Sequence, residues 1–174
     1  MKIIFLDIDG VLNHEQFYIN RQEQIFAGKW SITRPFSEID PKCVNLLSEF
    51  CRKNDIKVVI SSTWRASRDA EAFNEMFSNE FFEQPAFEVI STTPHLPRWS
   101  VRGNEIRQWI EENENIIGCK YYDYYDYCIL DDDGDMLLWQ KENFLKVDRF
   151  VGITPQTIFE MKKIFRLKLH DWDV

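Results

Sequence analysis

Two aspartates close to the amino terminus have the side-chain types and the spacing to do chemistry. Asp7 and Asp9 directly follow the apolar run 3–6, and Gly10 comes next. Such a run is typical of a strand that is buried on both faces of a parallel sheet. Side chains two residues apart in a strand point to the same side, so the two carboxylates would share one face where the strand ends. Carboxylates this close repel each other and require a cation, a shared proton or both.

Hydroxyls and arginines occur at two other places where elements are predicted to begin or end. Ser61 and Ser62 follow the apolar run 56–60, where a hydroxyl together with a backbone N–H could bind a phosphate oxygen. Arg98 and Arg102 lie in a proline-containing loop before a predicted helix, and an arginine in the first turn of a helix suits a bound anion. Both groups also have ordinary interpretations, since serine is common in turns and caps and arginine pairs with nearby acids.

A second group of carboxylates follows the apolar run 127–130. Open α/β sheets bind their ligands at the carboxyl ends of the strands, so we expect this group to lie near Asp7 and Asp9. Oxygen ligands without histidine or cysteine favour a hard cation. The sequence therefore predicts a cation site made of carboxylates at one edge of a sheet. The acids of the second group are Asp131, Asp132, Asp133 and Asp135.

The elements that must position these residues alternate between strands and helices. Asp40 and Pro41 provide an N-cap and a first-turn proline for one helix, and Thr154 and Pro155 do so for the last helix. The order predicts an α/β fold with a doubly wound, mainly parallel five-stranded sheet and helices on both faces. The predicted strands are 3–6, 56–60, 87–90, 127–130 and 144–147. Helices are predicted to begin at Pro41, near Ser100 to Arg102, and at Pro155, and Ala70, Phe73 and Phe77 mark one face of a further short helix.

Residues 14–39 interrupt this alternation and are predicted to form an irregular insertion. They mix polar and aromatic residues and include Gly28, Trp30 and Pro35. Because the insertion follows the first two aspartates, it could fold over them as a flap or small cap, or run over the surface as an ordinary excursion. The whole chain, 1–174, is expected to form one domain that carries this insertion.

The composition limits the class of protein. The 174 residues are 44% hydrophobic, which suits one domain with a sizeable core. The net charge of -8 argues against an extended nucleic-acid track but allows a local pocket for one phosphate. The apolar run at the amino terminus is too short for a signal peptide or a membrane span. The cysteines show no C-x-x-C spacing, which favours reduced thiols in a cytoplasmic protein over disulfides or a zinc site. They are Cys43, Cys51, Cys119 and Cys128.

Four runs of sequence, in this order, make the chain resemble a known superfamily. FLDIDGVLN, VVISSTWR, RGNEIRQWI and YCILDDDGD are similar to motifs of the haloacid-dehalogenase (HAD) superfamily of aspartate-nucleophile phosphotransferases. More narrowly, they resemble the HAD domains of multi-functional ("Swiss Army knife") RNA-repair proteins. The resemblance covers nearly the whole chain apart from the insertion, and it implies a HAD-like Rossmannoid fold with a small or absent cap.

The resemblance implies a phosphatase that works through an aspartyl-phosphate. Asp7 would be the nucleophile, and Asp9 would act first as general acid and then as general base. Ser61 matches the hydroxyl that holds a phosphoryl oxygen, although Ser62 is adjacent and not excluded. Arg102 is the candidate for the basic residue that offsets charge on the transferring group. The family more often has lysine there, and Arg98 competes for this role.

The resemblance also implies Mg²⁺ as the cofactor. The metal would neutralise both the nucleophile and the phosphate that it attacks, which otherwise repel each other. Because the acids after the fourth strand are adjacent, Asp133 or Asp135 could replace one of the expected ligands. The implied ligands are Asp7, the backbone carbonyl of Asp9, Asp131 and Asp132.

Two other classes of protein fit part of this pattern. A receiver-like signalling domain shares the doubly wound sheet and an acidic Mg²⁺ pocket. Receivers, however, carry their phospho-acceptor on the third strand, where this chain has Ser91 and Thr92 and no aspartate. A HAD-fold binding protein without catalysis is the other alternative, and the presence of every catalytic residue type argues against it.

The expected substrate is a terminal phosphate on a nucleotide or oligonucleotide, ahead of a sugar phosphate or another small metabolite. A short insertion would leave the site open to a large substrate. Aromatic rings and guanidinium planes around the site could stack on a base beside the phosphate, or pack within the protein. The candidates for this rim are Trp64, Arg65, Arg98, Trp99 and Arg102.

Overall fold

The centre of the structure is a parallel sheet whose strands the sequence predicts closely. The computed structural model describes residues 1–28, 38–79, 82, 86–117 and 126–169. The strands are β1 (Lys2–Leu6), β2 (Ile56–Ile60), β3 (Val89–Thr92), β4 (Tyr127–Asp131) and β5 (Phe144–Lys146). They form a five-stranded sheet in the order β3-β2-β1-β4-β5, and every neighbouring pair is parallel. The predicted five-stranded α/β sheet is therefore confirmed, with β3 two residues later than expected.

The helices begin at the predicted caps. The Asp40 carboxylate accepts from the Lys42 N–H, and the Thr154 hydroxyl accepts from the Thr157 N–H. A short 3₁₀ segment, Thr63–Ala66, follows β2, and another, Leu138–Asn143, precedes β5. The described α-helices are α1 (Glu15–Phe26), α2 (Pro41–Asn54), α3 (Ala70–Phe77), α4 (Arg102–Glu112), α5 (Glu114–Ile117) and α6 (Pro155–Ile164).

Helices cover both faces of the sheet, as predicted. On one face, side chains of β1, β2 and β4 pack against buried residues of α2, α3 and α6. On the other face, Phe5 and Ile129 pack against Ile106 and Trp109 of α4, and the Phe5 and Trp109 rings meet edge to face at 5.3 Å. The strands are thus buried on both sides, which is why their sequences are continuous apolar runs.

The register of the sheet brings the polar strand ends together. Leu6 of β1 pairs with Ile60 of β2 and with Leu130 of β4. The next residues are Asp7, Ser61 and Asp131, and they stand side by side at the carboxyl edge. Because side chains alternate along a strand, Asp7 points to the same side of the sheet as Phe5, and this side faces α4. Asp7, Ser61 and Asp131 are therefore on the face of the sheet that α4 covers.

The prediction of an irregular insertion is wrong for its first part. Residues 15–26 form the helix α1, whose N-cap His14 accepts from the Phe17 N–H, and Phe17 is the buried residue of this helix. The apolar residues of this helix are grouped at 17–19 and 25–26 and do not recur every three or four positions, so hydrophobic periodicity does not reveal it. Residues 29–37, with Trp30 and Pro35, lie outside the described residues.

Three of the four cysteines are free and buried, as predicted for reduced thiols. They are Cys43, Cys51 and Cys128, and burial raises the pKa of each thiol, that of Cys43 to about 12. Cys119 and most of the tyrosine-rich stretch 121–127 lie outside the described residues. Within the part of the chain that the structure describes, no helix is both long and apolar enough to cross a membrane.

Candidate active site

Asp7 lies at the centre of the carboxyl edge, where β1 ends. Its side chain is buried, with 6% of the residue exposed, and its Oδ1 accepts from the Ile8 N–H at 2.8 Å. Burial raises the pKa of the Asp7 carboxyl, while the charge of Arg102 and a hydrogen bond from the Ser62 hydroxyl act in the opposite direction. Asp7 is thus a desolvated carboxylate that nearby donors keep oriented, which is typical of a functional acid.

Asp131 lies beside Asp7 at the end of β4 and is fully buried. Its Oδ1 accepts from the Asp133 N–H at 2.8 Å, whereas its buried Oδ2 has no hydrogen-bond partner among the described residues. Burial, followed by the charge of Asp7, raises the pKa of Asp131 to about 7. Burial of an oxygen without a partner costs free energy. Oδ2 is therefore a candidate contact for a bound ligand.

Arg102, the first residue of α4, faces both buried carboxylates without a close contact to either. Its Nη1 lies 3.7 Å from Asp7 Oδ1 and its Nε lies 3.8 Å from Asp131 Oδ2, and Nη1 is buried with no hydrogen-bond partner among the described residues. These distances allow attraction but exceed hydrogen-bond range. The guanidinium therefore keeps donors for an anion. Arg98, its competitor in the sequence interpretation, is exposed on the preceding loop.

Asp135 caps the amino-terminal end of α4. Val101, the N-cap of α4, has no capping side chain, and Asp135 Oδ2 accepts from the Arg102 N–H at 2.9 Å instead. A carboxylate at this end of a helix is favourable because it meets unpaired N–H groups and the positive end of the helix dipole. Asp135 thus holds the start of α4, and with it Arg102, against the end of β4.

Asp132 completes a cluster with the two buried acids. One oxygen each from Asp7, Asp131 and Asp132 lie within 4.8 Å of one another. Asp132 Oδ2 also accepts from the Nε and Nη2 of Arg149, at 2.9 and 2.6 Å. The approach of Asp132 explains Gly10, whose φ is +71° and where a Cβ would stand 2.5 Å from the Asp132 Cγ.

Asp9 stands apart from the cluster, on the exposed side of the loop after β1. Asn13 Nδ2 donates to Asp9 Oδ1 at 2.8 Å, and Trp64 Nε1 donates to Asp9 Oδ2 at 3.0 Å. The negative charge of Asp9 is among the influences that raise the pKa of Asp7, so the two carboxylates are near neighbours. The two aspartates therefore provide one buried and one exposed carboxylate.

Of the two candidate hydroxyls, that of Ser62 contacts the buried carboxylate. It hydrogen-bonds Asp7 and accepts from the Trp64 N–H at 3.4 Å as the N-cap of the 3₁₀ segment. Ser61 is fully buried, and its hydroxyl has no hydrogen-bond partner among the described residues. Both hydroxyls lie at the carboxyl edge, as the sequence predicts, and Ser61 keeps a free donor there.

A family comparison agrees with this geometry. Residues 3–158 match the family described as the HAD domain in Swiss Army Knife RNA repair proteins. The chain belongs to this HAD family. No curated protein and no solved structure shows significant similarity to it. The match covers the whole carboxyl edge of the sheet, from Asp7 to Asp132, and α4 with Arg102.

The carboxylate cluster of Asp7, Asp131 and Asp132, together with Arg102, is called the HAD site below. Its residues fit a hard divalent cation. The cluster consists of carboxylate oxygens, which are the ligands that such cations prefer. The Asp131 Oδ2 has no hydrogen-bond partner among the described residues, and burial raises the pKa of Asp7 and Asp131, so a bound cation would favour the charged form of both carboxylates. The structure groups Asp131 and Asp132 with Asp7, while Asp133 is exposed and contributes its N–H to Asp131.

The prediction that Arg65 lies on the rim of the HAD site is wrong. Its side chain is buried, and its guanidinium donates to the carbonyl oxygens of Ser61, Ser62 and Thr93 and pairs with Glu105. A guanidinium that is this fully bonded cannot stack on a substrate base. It instead ties the end of β2 to the loop after β3 and to α4.

The cleft above the HAD site has a volume of about 340 Å³. Besides the site carboxylates and Arg102, it is lined by groups that sequence reasoning did not assign, notably Arg149, Asn13 and Tyr18 of α1. Asn13 lies in one of the quoted motifs. The sequence did not indicate a role for Arg149, because its partner Asp132 is distant in sequence. Trp99, a predicted rim residue, is 87% exposed on the loop before α4.

Proposed function

We propose that this HAD domain is a Mg²⁺-dependent phosphatase that hydrolyses a phosphomonoester through an aspartyl-phosphate on Asp7. The observation that supports this most directly is the position of the Asp7 carboxylate. It lies within 4.8 Å of two further carboxylates and 3.7 Å from an arginine nitrogen that has no hydrogen-bond partner among the described residues. A phosphate that approached Asp7 would meet the free donors of Arg102, which favour its oxygens.

In the first step, an Asp7 oxygen would attack the phosphorus atom, and the bond from phosphorus to the leaving oxygen would break. Asp9 would give its proton to that oxygen, so an alcohol departs. In the second step, Asp9 would take a proton from water, the water oxygen would bond to phosphorus, and the bond from phosphorus to Asp7 would break. The products are an alcohol and inorganic phosphate, and both aspartates return to their starting states.

The nucleophile must be ionised when it attacks. Burial raises the pKa of Asp7, which works against ionisation, but Arg102 and the Ser62 hydroxyl favour the charged form. Mg²⁺ held by Asp7, Asp131 and Asp132 would supply further positive charge at this point. The exposed position of Asp9 suits an acid and base that must reach both the leaving group and water.

We further propose a terminal phosphate on a nucleotide or on a short nucleic-acid end as the substrate. The family description refers to RNA repair proteins, and the exposed Trp99 offers an aromatic face on the loop before α4. Base stacking on such a face is worth about 1–3 kcal/mol per base in single-strand binders. The net charge of -8 argues against a long nucleic-acid track, so contact would be confined to the terminus.

The test is hydrolysis of an aryl phosphate with Mg²⁺ and with a chelator, followed by a comparison of kcat/KM across substrate classes. The classes are end-phosphorylated oligonucleotides, mononucleotides and sugar phosphates. We expect Mg²⁺-dependent turnover and the highest kcat/KM for the nucleic-acid end. A clear preference for sugar phosphates would overturn the substrate class and leave the phosphatase chemistry standing. Absence of Mg²⁺-dependent turnover on every class would overturn the phosphatase itself.

A further inference from the structure

Both carboxylate oxygens of Asp9 are held by neutral N–H donors from different parts of the chain. Asn13 Nδ2 donates to Oδ1 at 2.8 Å, and Trp64 Nε1 donates to Oδ2 at 3.0 Å. We propose that Trp64 is a positioning residue for the proton-transfer steps, because its indole N–H fixes the Asp9 carboxylate toward the reacting oxygen. This inference rests on the proposed phosphatase function.

The two donors differ in what they contribute. Asn13 is buried, and its Oδ1 accepts from the Gly10 N–H at 2.9 Å, so this amide belongs to the turn that carries Asp9 itself. Trp64 lies 55 residues further along the chain, in the 3₁₀ segment after β2. The indole therefore links the loop after β1 to the loop after β2, and it is the donor that ties Asp9 to a separate element.

Trp64 is itself firmly held. Its backbone N–H donates to the Ser62 hydroxyl at the start of the 3₁₀ segment. The next residue, Arg65, is anchored by hydrogen bonds to backbone carbonyls at the ends of β2 and β3 and by an ion pair with Glu105. A donor on such a support can restrict the rotation of an exposed carboxylate, which a loop alone would not do.

The contact is compatible with both roles of Asp9. An indole N–H only donates, and each carboxylate oxygen has two lone pairs. Asp9 can therefore take up or release a proton while both contacts persist. This arrangement suits a group that must give a proton to a leaving oxygen and then accept one from water, since orientation is retained between the two steps.

The ring has another possible use, as a stacking surface for a substrate base. Stacking would use the face of the indole, whereas positioning uses its N–H edge. Arg68 occupies one face, and the edge points to Asp9. The two roles predict different kinetic effects: loss of stacking raises KM for nucleotide substrates, while loss of positioning slows substrates whose leaving group needs a proton.

The experiment compares an alkyl phosphate with an aryl phosphate of good leaving group, in the full chain with Mg²⁺. Trp64→Phe keeps an aromatic ring and removes the N–H. We expect the ratio of alkyl to aryl kcat/KM, which reports the phosphorylation step of each ester, to fall roughly tenfold, which is the order expected for one lost hydrogen bond. The kcat/KM for the aryl phosphate should remain within about twofold. The ratio does not depend on the folded fraction of the variant, so it remains informative if Trp64→Phe is less stable.

Two further variants define the control. Arg68→Met removes the cation from the ring face and keeps the N–H, and it should leave the ratio unchanged. Asp9→Asn should lower the ratio strongly, and adding Trp64→Phe to it should lower the ratio no further, because the indole acts through Asp9.

An unchanged ratio in Trp64→Phe, or an equal further loss in the Asp9→Asn background, would overturn the role of Trp64 while wild-type activity leaves the phosphatase intact. A wild-type protein with no Mg²⁺-dependent hydrolysis of either ester would overturn the proposed function, and this inference with it.

Discussion

In the part of the chain that the structure describes, two groups of side chains have ligand types that could hold a metal ion, and they differ in how their polar atoms are satisfied. In the first, His14 Nε2 and Asp40 Oδ2 are 3.0 Å apart, and the other Asp40 oxygen accepts from a backbone N–H of α2. The Cys43 thiol of this group donates to a backbone carbonyl at 3.5 Å. Each of the three side chains therefore has a partner within the protein.

The second group lies at the carboxyl edge of the sheet and is not satisfied in this way. Its members are Asp7, Asp131 and Asp132. The Asp131 Oδ2 is buried without a hydrogen-bond partner among the described residues, and burial raises the pKa of both Asp7 and Asp131. Carboxylates placed together in this way destabilise the fold unless a cation or a proton joins them.

The difference indicates which group is structural and which is functional. His14 precedes α1 and Asp40 precedes α2, so their contact closes the base of the 14–39 insertion. The same contrast separates Arg65 from Arg102, since the Arg65 guanidinium is fully hydrogen-bonded and the buried Nη1 of Arg102 has no hydrogen-bond partner among the described residues. Buried polar groups that are satisfied stabilise a fold, whereas those left unsatisfied mark a place for a ligand.

The largest expected effect is on catalysis. Asp7→Asn should reduce Mg²⁺-dependent hydrolysis by several orders of magnitude, because an amide is a very poor nucleophile. Steady-state rates with an aryl phosphate measure this. Asp55→Asn makes the same chemical change at the opposite edge of the sheet, on a side chain that is 90% exposed, and should leave the rate unchanged. Near-normal turnover in Asp7→Asn would remove Asp7 from the role of nucleophile.

The next largest expected effect is on the apparent affinity for Mg²⁺. Asp132→Ala removes one carboxylate of the unsatisfied group and should raise the Mg²⁺ concentration for half-maximal activity by roughly tenfold or more. Activity should recover substantially at saturating Mg²⁺. Titration curves of variant and wild type that overlay would transfer the ligand role to Asp133 or Asp135.

Stability should depend on pH through Asp131 when no metal is bound. Burial raises the pKa of Asp131 from its ordinary value of 3.8 to about 7 in the folded protein, so folding favours the protonated form. The ionised form destabilises the fold increasingly between about pH 4 and pH 7, and fully above that. Asp131→Asn mimics the protonated form. It should raise the free energy of unfolding by on the order of 2 kcal/mol at pH 8 and by little at pH 4.

Denaturant unfolding in chelator at the two pH values checks this prediction. Added Mg²⁺ should narrow the difference between variant and wild type, because the cation compensates the same charge. A variant that is less stable than wild type at pH 8 would show that Asp131 is compensated within the protein.

The smallest effect is expected in the satisfied group. Asp40→Ala removes the N-cap of α2 and the partner of His14, and should lower the free energy of unfolding by about 1–3 kcal/mol. Asp40→Asn keeps a capping side chain and should cost less. Neither variant should change the Mg²⁺ concentration for half-maximal activity. A shift in that concentration would connect the base of the insertion with the metal site and weaken the contrast between the two groups.

The sequence predicted the edge of the sheet well because local signals coincide there. Apolar runs located β1, β2 and β4, and parallel pairing then placed Asp7, Ser61 and Asp131 side by side. The start of α4 could also be predicted, since Ile106 and Trp109 define its buried face. These conclusions need only the period of the hydrophobic residues and the geometry of a parallel sheet.

Other features could not be predicted because they depend on contacts between distant segments. The carbonyl partners of Arg65 and the pairing of Arg149 with Asp132 become visible only when the loops meet. The contact of His14 with Asp40 spans 26 residues and has no local motif. Helix α1 was missed because its apolar residues are grouped at 17–19 and 25–26 and do not form a periodic stripe.

The central claim is that phosphate is transferred to Asp7, and trapping the intermediate tests it most directly. Asp9→Asn should slow hydrolysis of the aspartyl-phosphate while an aryl phosphate, whose leaving group needs no proton, still reacts. Brief incubation with Mg²⁺ and an aryl phosphate, followed by acid quench and mass spectrometry, should show one added phosphoryl group, located on Asp7 by peptide analysis. An adduct on another residue such as Ser62, or no adduct in a protein whose wild type turns over, would contradict the account.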